Sequence, residues 1–83
     1  METARKFSED ELRAALTALQ DEERFGMVLR AKGLVDAGDG GWIYFDYVPG
    51  ETDIRRGGAA VIGRLCVIGS GIKEQALKEL FRI

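Results

Sequence analysis

The stretch WIYFDYVPGETDIRR, residues 42–56, constrains the fold more than any other part of the chain. Residues 42–48 are mostly aromatic and β-branched types, which suit a pleated, half-buried strand. Pro49 and Gly50 follow. Proline supplies the fixed φ of a turn's second position and glycine the positive φ of its third, as a type II turn requires. Residues 51–56 then return as the hairpin partner. An antiparallel pair is thus set locally, and the rest of the chain must cover it. Along 42–48, Ile43, Phe45 and Tyr47 share one face and Trp42, Tyr44 and Asp46 the other. The carboxylate marks the second set as the face left open.

Two amphipathic helices supply the cover. In FSEDEL, Ser8 is a good N-cap, and Glu11 three residues later completes a capping box. Phe7 and Leu12 hold the two positions of a hydrophobic staple, and Asp10 and Glu11 sit at the positive end of the helix dipole. Leu12, Ala15, Leu16 and Leu19 follow as one apolar stripe, so a helix is predicted over 9–20. An acidic cluster, Asp21 to Glu23, follows, and Gly26 ends the connection. A last helix is expected over 74–82, with Ala76, Leu77, Leu80 and Phe81 facing the core. Its N-cap would be Lys73, a poor one, because an ammonium cannot accept the free backbone N–H groups.

The remaining segments read as strands and turns. TARKF, before Ser8, suits a short edge strand. Residues 27–35 alternate, with Met27, Leu29 and Ala31 on one side and Val28, Arg30 and Lys32 on the other. DAGDGG at 36–41 is a turn, GGAAVIG a looser loop, and RLCVIGS at 64–70 a nearly continuous apolar run suited to a central strand. Cys66 within it is expected to pack as a small buried hydrophobe. Each helix has one apolar stripe, so both should lie on the same side of the sheet. The expected fold is α+β: a mainly antiparallel sheet of about four strands with two helices packed on one face.

Composition excludes several function classes. Eighty-three residues make one small domain. There is no histidine and one cysteine, so a zinc site and a Ser-His-Asp or Cys-His arrangement lack their parts. No P-loop pattern occurs. DAGDGG lacks the ligand spacing of a calcium loop, and GSG before the last helix reads as a plain turn. A net charge of −2 argues against a dedicated nucleic-acid or membrane-surface binder. No run of about 18 apolar residues is present, and METARKFSEDEL has no signal-peptide core. A single cysteine cannot form an internal disulfide, which suits the cytoplasm.

What remains is the open face. Arg30 and Lys32 should lie there beside Trp42, Tyr44 and Asp46. One reading is a solvated surface on which the cations pair with Asp46, Asp53 or the rings. The other is a docking surface, since arginine and aromatic residues are favoured at interface centres. A sheet platform for RNA would use the same residue types, but the signature motifs of such modules are missing and the chain is net acidic. Exposed strand edges leave homo-oligomerisation open.

Taken in order, VLRAKGLV, WIYFDYVPGE, GRLCVIG and ALKELF resemble the C-terminal domain of CobW-type proteins, and RKFSEDELRAAL is similar to that family's first helix and its lead-in. The resemblance implies a non-catalytic interaction or regulatory domain of a GTP-binding metallochaperone linked to cobalamin biosynthesis or metal homeostasis. In the family, the P-loop and a Cys-x-Cys-Cys motif belong to an N-terminal GTPase domain. GTP, magnesium and a transition metal are therefore implied for that domain, and no cofactor for this chain. The implied partners are the GTPase domain and a client protein. The chain then looks like an excised domain, with Met1 as an added start and a shortened lead-in strand. Only Arg30, Ala31, Lys32 and Gly33 match the family signature.

Overall fold

The computed structural model describes all of residues 1–83. In chain order the elements are β1 (Glu2–Thr3), α1 (Glu9–Ala18), α2 (Glu22–Phe25), β2 (Met27–Asp36), β3 (Trp42–Val48), β4 (Glu51–Gly57), β5 (Gly63–Ser70) and α3 (Glu74–Phe81). The strands form one sheet in the order β1-β5-β2-β3-β4, with every strand pair antiparallel. The α+β class is as expected, with five strands and three helices where about four and two were anticipated.

Both additions have local causes. β1 is only two residues long and is held by pairing Glu2 with Arg64 and Thr3 with Gly63. TARKF is otherwise irregular, apart from a bridge between Lys6 and Asp36. α2 is a single turn, and the acidic cluster is its start: the Asp21 side chain accepts from the Arg24 N–H at 3.3 Å. The first helix behaves as its sequence requires. Ser8 Oγ accepts from the Glu11 N–H at 3.1 Å, and Glu11 Oε1 accepts from the Ser8 N–H at 3.1 Å. α3 has no side-chain cap. The Lys73 ammonium donates instead to the Glu23 carbonyl, and its N–H to the Phe25 carbonyl at 3.1 Å, which ties α3 to α2.

All three helices lie on one side of the sheet. Phe7, Leu12, Leu16, Leu19, Phe25, Leu77 and Phe81 pack in one cluster with Val28, Ala31, Val35, Ile43, Phe45, Tyr47 and Leu65. The alternation in β3 is as read: Ile43, Phe45 and Tyr47 are buried, while Trp42, Tyr44 and Asp46 are half-buried on the other face. Gly50 has φ 84°, as the type II turn requires.

The alternation expected for β2 is corrected. The ladder to β5 pairs Val28 with Gly69 and Arg30 with Ile68, so Leu29 is an extra residue, a β-bulge. Val28 is therefore buried with Ala31 and Val35, while Met27 and Leu29 are exposed. A period-two reading cannot anticipate an inserted residue. RLCVIGS forms β5, an interior strand flanked by β2 and by the two residues of β1. Its thiol is not buried: Cys66 is exposed. It follows Leu65, which faces the core, so the pleat turns it to the open side.

Candidate functional site

The open face is built from rows of residues set by the strand register. One row runs Cys66 on β5, Lys32 on β2, Asp46 on β3 and Asp53 on β4. The next runs Arg64, Leu34, Tyr44 and Arg55. Arg30 lies beyond the first row, opposite Ile68. The face thus carries four cations, two aspartates and a tyrosine.

Asp46 and Asp53 are directly opposed, which by itself is repulsive. Each has its own arginine. Arg30 grips Asp46 with two parallel bonds, Nε to Oδ1 at 3.2 Å and Nη2 to Oδ2 at 2.7 Å. Arg55 holds Asp53 at 2.7 Å. The bidentate contact fixes the guanidinium's orientation as well as its charge. The hydrogen bond from Arg30 holds the Asp46 carboxyl below the usual carboxylate range, with added charge effects from Arg30, Lys32 and Arg55. Asp46 in turn raises the pKa of Arg30.

Lys32 stands directly across the ladder from Asp46 yet forms no ion pair. Its charge acts on the row without being consumed by it. Tyr44 lies against Gly57, where any added side chain would strike the ring, and its hydroxyl donates to the Gly58 carbonyl at 2.8 Å. Trp42 is opposite Asp36 and Gly57, four residues along β3 from Asp46, roughly 13 Å away.

The Arg30–Asp46 pair is the shared wall of two shallow depressions. One, of about 550 Å³, includes Lys32, Tyr44, Arg55, Arg64 and Cys66. The other, of about 510 Å³, includes Val48, Glu51, Thr52 and Asp53. Four of the five anticipated residues, Arg30, Lys32, Tyr44 and Asp46, come together here, and Trp42 stands apart at the far end. The anticipated contacts of cations with Trp42 or Tyr44 do not form. The cation–π contacts of the chain are Arg5 over Phe7 at 4.2 Å and Arg24 over Phe25 at 4.7 Å.

Asp53 was expected here as a partner for Arg30 or Lys32, and it pairs with Arg55 instead; Arg55 and Glu2 were not anticipated on this surface. Arg55 could have been found by carrying the β3 alternation across the hairpin. Glu2 lies on the face because β1 pairs with β5, where its carboxylate is 3.5 Å from Arg64; no local pattern reveals that pairing.

The surface is not suited to a cation. No group of three metal-ligating side chains comes together, and the cysteine lies across from Lys32 and near Arg64. The residues present therefore do not fit a metal ion. No helix is long and apolar enough to cross a membrane. Compared with known proteins, the family model described as cobalamin synthesis protein cobW C-terminal domain matches residues 1–82. No curated protein and no solved structure matches the chain.

Proposed function

The chain belongs to the family of cobW C-terminal domains, and from that premise we propose that it is a non-catalytic docking domain working through the open face of its sheet. The observation that carries the reading is the bidentate Arg30–Asp46 pair on the side without helices, with an uncommitted Lys32 beside it. An ion pair held in one geometry before contact loses little conformational freedom on docking. Around it lie residue types favoured at interface centres, arginines and Tyr44, and at the same end as Arg30 are the exposed apolar side chains of Leu29 and Ile68.

The role is to bind the GTP-binding domain of a metallochaperone-type protein and relay its nucleotide state to a client in cobalamin synthesis or metal homeostasis. Arg30, Lys32, Tyr44 and Asp46 make the contact, and Trp42 bounds it at the far end. Binding is expected to be charge-steered, so salt weakens it mainly by slowing association. The test is titration of the domain with the GTP-binding domain of a family member. In the double variant Arg30→Ala with Lys32→Ala, docking and any stimulation of GTP hydrolysis are lost. Unchanged docking overturns the reading. Tight, strongly salt-dependent binding of RNA by the unmodified domain would replace it with a nucleic-acid platform.

A further inference from the structure

The depression of about 550 Å³ on the open face is cationic in an acidic chain. Four cations and two carboxylates line it, whereas the whole chain has two more acids than bases. Most of these charges are already matched. Asp46 holds Arg30 at two points, and Asp53 holds Arg55. Arg64 reaches Glu2 only at 3.5 Å, with both side chains more than half exposed. Lys32 alone has no acid partner.

Beside Lys32 lies an apolar floor. Leu34 is two residues along β2, on the same face, and Tyr44 is directly opposite it. Both are half-buried. The Tyr44 ring is pinned against Gly57, and its hydroxyl is bonded to the Gly58 carbonyl. Arg64 closes this row at one end and Arg55 at the other. Lys32, Leu34 and Tyr44 all stand on β2 and β3, the strands inside the sheet, so its middle sets their arrangement.

This pattern selects among anions. Phosphate is best gripped by a free guanidinium fork, and the fork of Arg30 is filled while that of Arg55 is drawn to Asp53. A nucleic-acid backbone carries a charge at every step. Asp46 and Asp53, side by side in the middle of the face, would repel it. A single ammonium beside an apolar floor is instead the complement of one carboxylate with an apolar neighbour. Lysine is a compact point charge on a flexible stem, so it accepts a carboxylate in many orientations. In an extended segment, side chains two residues apart share a face roughly 7 Å apart, which is also the spacing of Lys32 and Leu34.

We propose that the open face takes an acidic segment of its partner polypeptide, with an aspartate or glutamate seated on Lys32 and an apolar side chain two residues along lying over Leu34 and Tyr44. Resting on the docking role proposed above, this gives selection for charge to Lys32 and selection for an apolar side chain to Leu34 and Tyr44.

The probe is a capped heptapeptide, threonine-phenylalanine-threonine-glutamate-threonine-phenylalanine-threonine, which offers the same pattern in either chain direction. Binding is followed by NMR of the backbone amides. The amides of Lys32, Leu34 and Tyr44 should shift, and those of α1 and α3 should not. Replacing the peptide's glutamate by glutamine should weaken binding about threefold to fivefold, as for an exposed ion pair. Lys32→Gln should cost the same with the glutamate peptide and nothing further with the glutamine peptide, since the two changes remove one contact. Lys32 is exposed and unpaired, so this variant keeps the fold. Equal binding of the two peptides, losses that simply add, or no shifts on this face at millimolar peptide each overturn the proposal. Single-stranded RNA that moves the same amides more tightly than the glutamate peptide also overturns it. A GTP-binding domain that docks equally well on Lys32→Gln removes the acidic segment and leaves the docking role standing, whereas no docking on the unmodified domain removes both.

Discussion

Replacing Gly33 by alanine should destabilise the domain far more than its size suggests. Gly33 closes the Arg-Ala-Lys-Gly stretch in the middle of β2 and pairs with Leu65 of β5. A Cβ placed there would overlap the carbonyl oxygen of Arg64, and would lie 2.9 Å from that carbonyl carbon and 3.1 Å from the Leu65 Cα. Ordinary carbon contacts begin near 3.5 Å. The obstructing atoms are backbone, so no side chain can swing aside. β5 must move away, and the pairs on either side, Lys32 with Cys66 and Leu34 with Arg64, stretch with it. Overpacking of this kind costs about 1–3 kcal/mol, and each weakened hydrogen bond adds about 0.5–1.5 kcal/mol. A total of about 2–4 kcal/mol follows. Small domains have only about 5–15 kcal/mol in all, and each kcal/mol moves the melting temperature of a domain this size by roughly 4–8 °C. Thermal unfolding followed by circular dichroism should show a fall in Tm of at least about 8 °C. Gly58→Ala is the control, since nothing lies within 4 Å of a Cβ there; it should stay within about 0.5 kcal/mol of the parent. A Gly33→Ala variant as stable as Gly58→Ala would refute the close approach of β2 to β5.

Two further outcomes follow from single groups. The Tyr47 hydroxyl is buried without a hydrogen-bond partner, so Tyr47→Phe should be neutral or stabilising, by at most about 1–3 kcal/mol in urea unfolding. Burial also raises the Tyr47 pKa, so its contribution is complete below the unfolded value near 10 and is lost as pH rises through the folded value; Tyr47→Phe should flatten the alkaline loss of stability. Asp46 behaves oppositely. Its folded pKa is lowered by Arg30, so its contribution is present above the unfolded value of about 3.9 and is lost as pH falls through the lower, folded one. Asp46→Asn should therefore show a shallower acid loss than the parent, and equal slopes would argue against the ion pair in solution.

The sequence revealed most where signals were local. The Ser8–Glu11 capping box, the Pro49–Gly50 turn and the aromatic alternation of β3 each lie within a few residues, and each appears in the structure as read. The one-sided placement of the helices followed from their single apolar stripes. The misses have long-range or inserted causes. The bulge at Leu29 is defined only against β5, nearly forty residues away, and it moved Val28 into the core. β1 exists because Glu2 finds Arg64, a pairing that two residues cannot announce. The one-turn helix α2 was hidden because its cap, Asp21, is itself part of a charge run. For the site, the face of Arg30 and Lys32 was legible from alternation beside the carboxylate of Asp46. The bidentate grip of Arg30, the matching Asp53–Arg55 pair and the isolation of Trp42 depend on register, which no residue carries alone.

The central claim is that helices shield one side of the sheet and leave the other free for contact. Cys66 is a native reporter of the free side. It is the chain's one thiol, it is exposed, and it lies directly across the ladder from Lys32. Its alkylation by iodoacetamide in the native protein should go to completion at a rate close to that of the unfolded chain. A thiol that reacts only after denaturant is added would mean that this side of the sheet is covered, and would contradict the account.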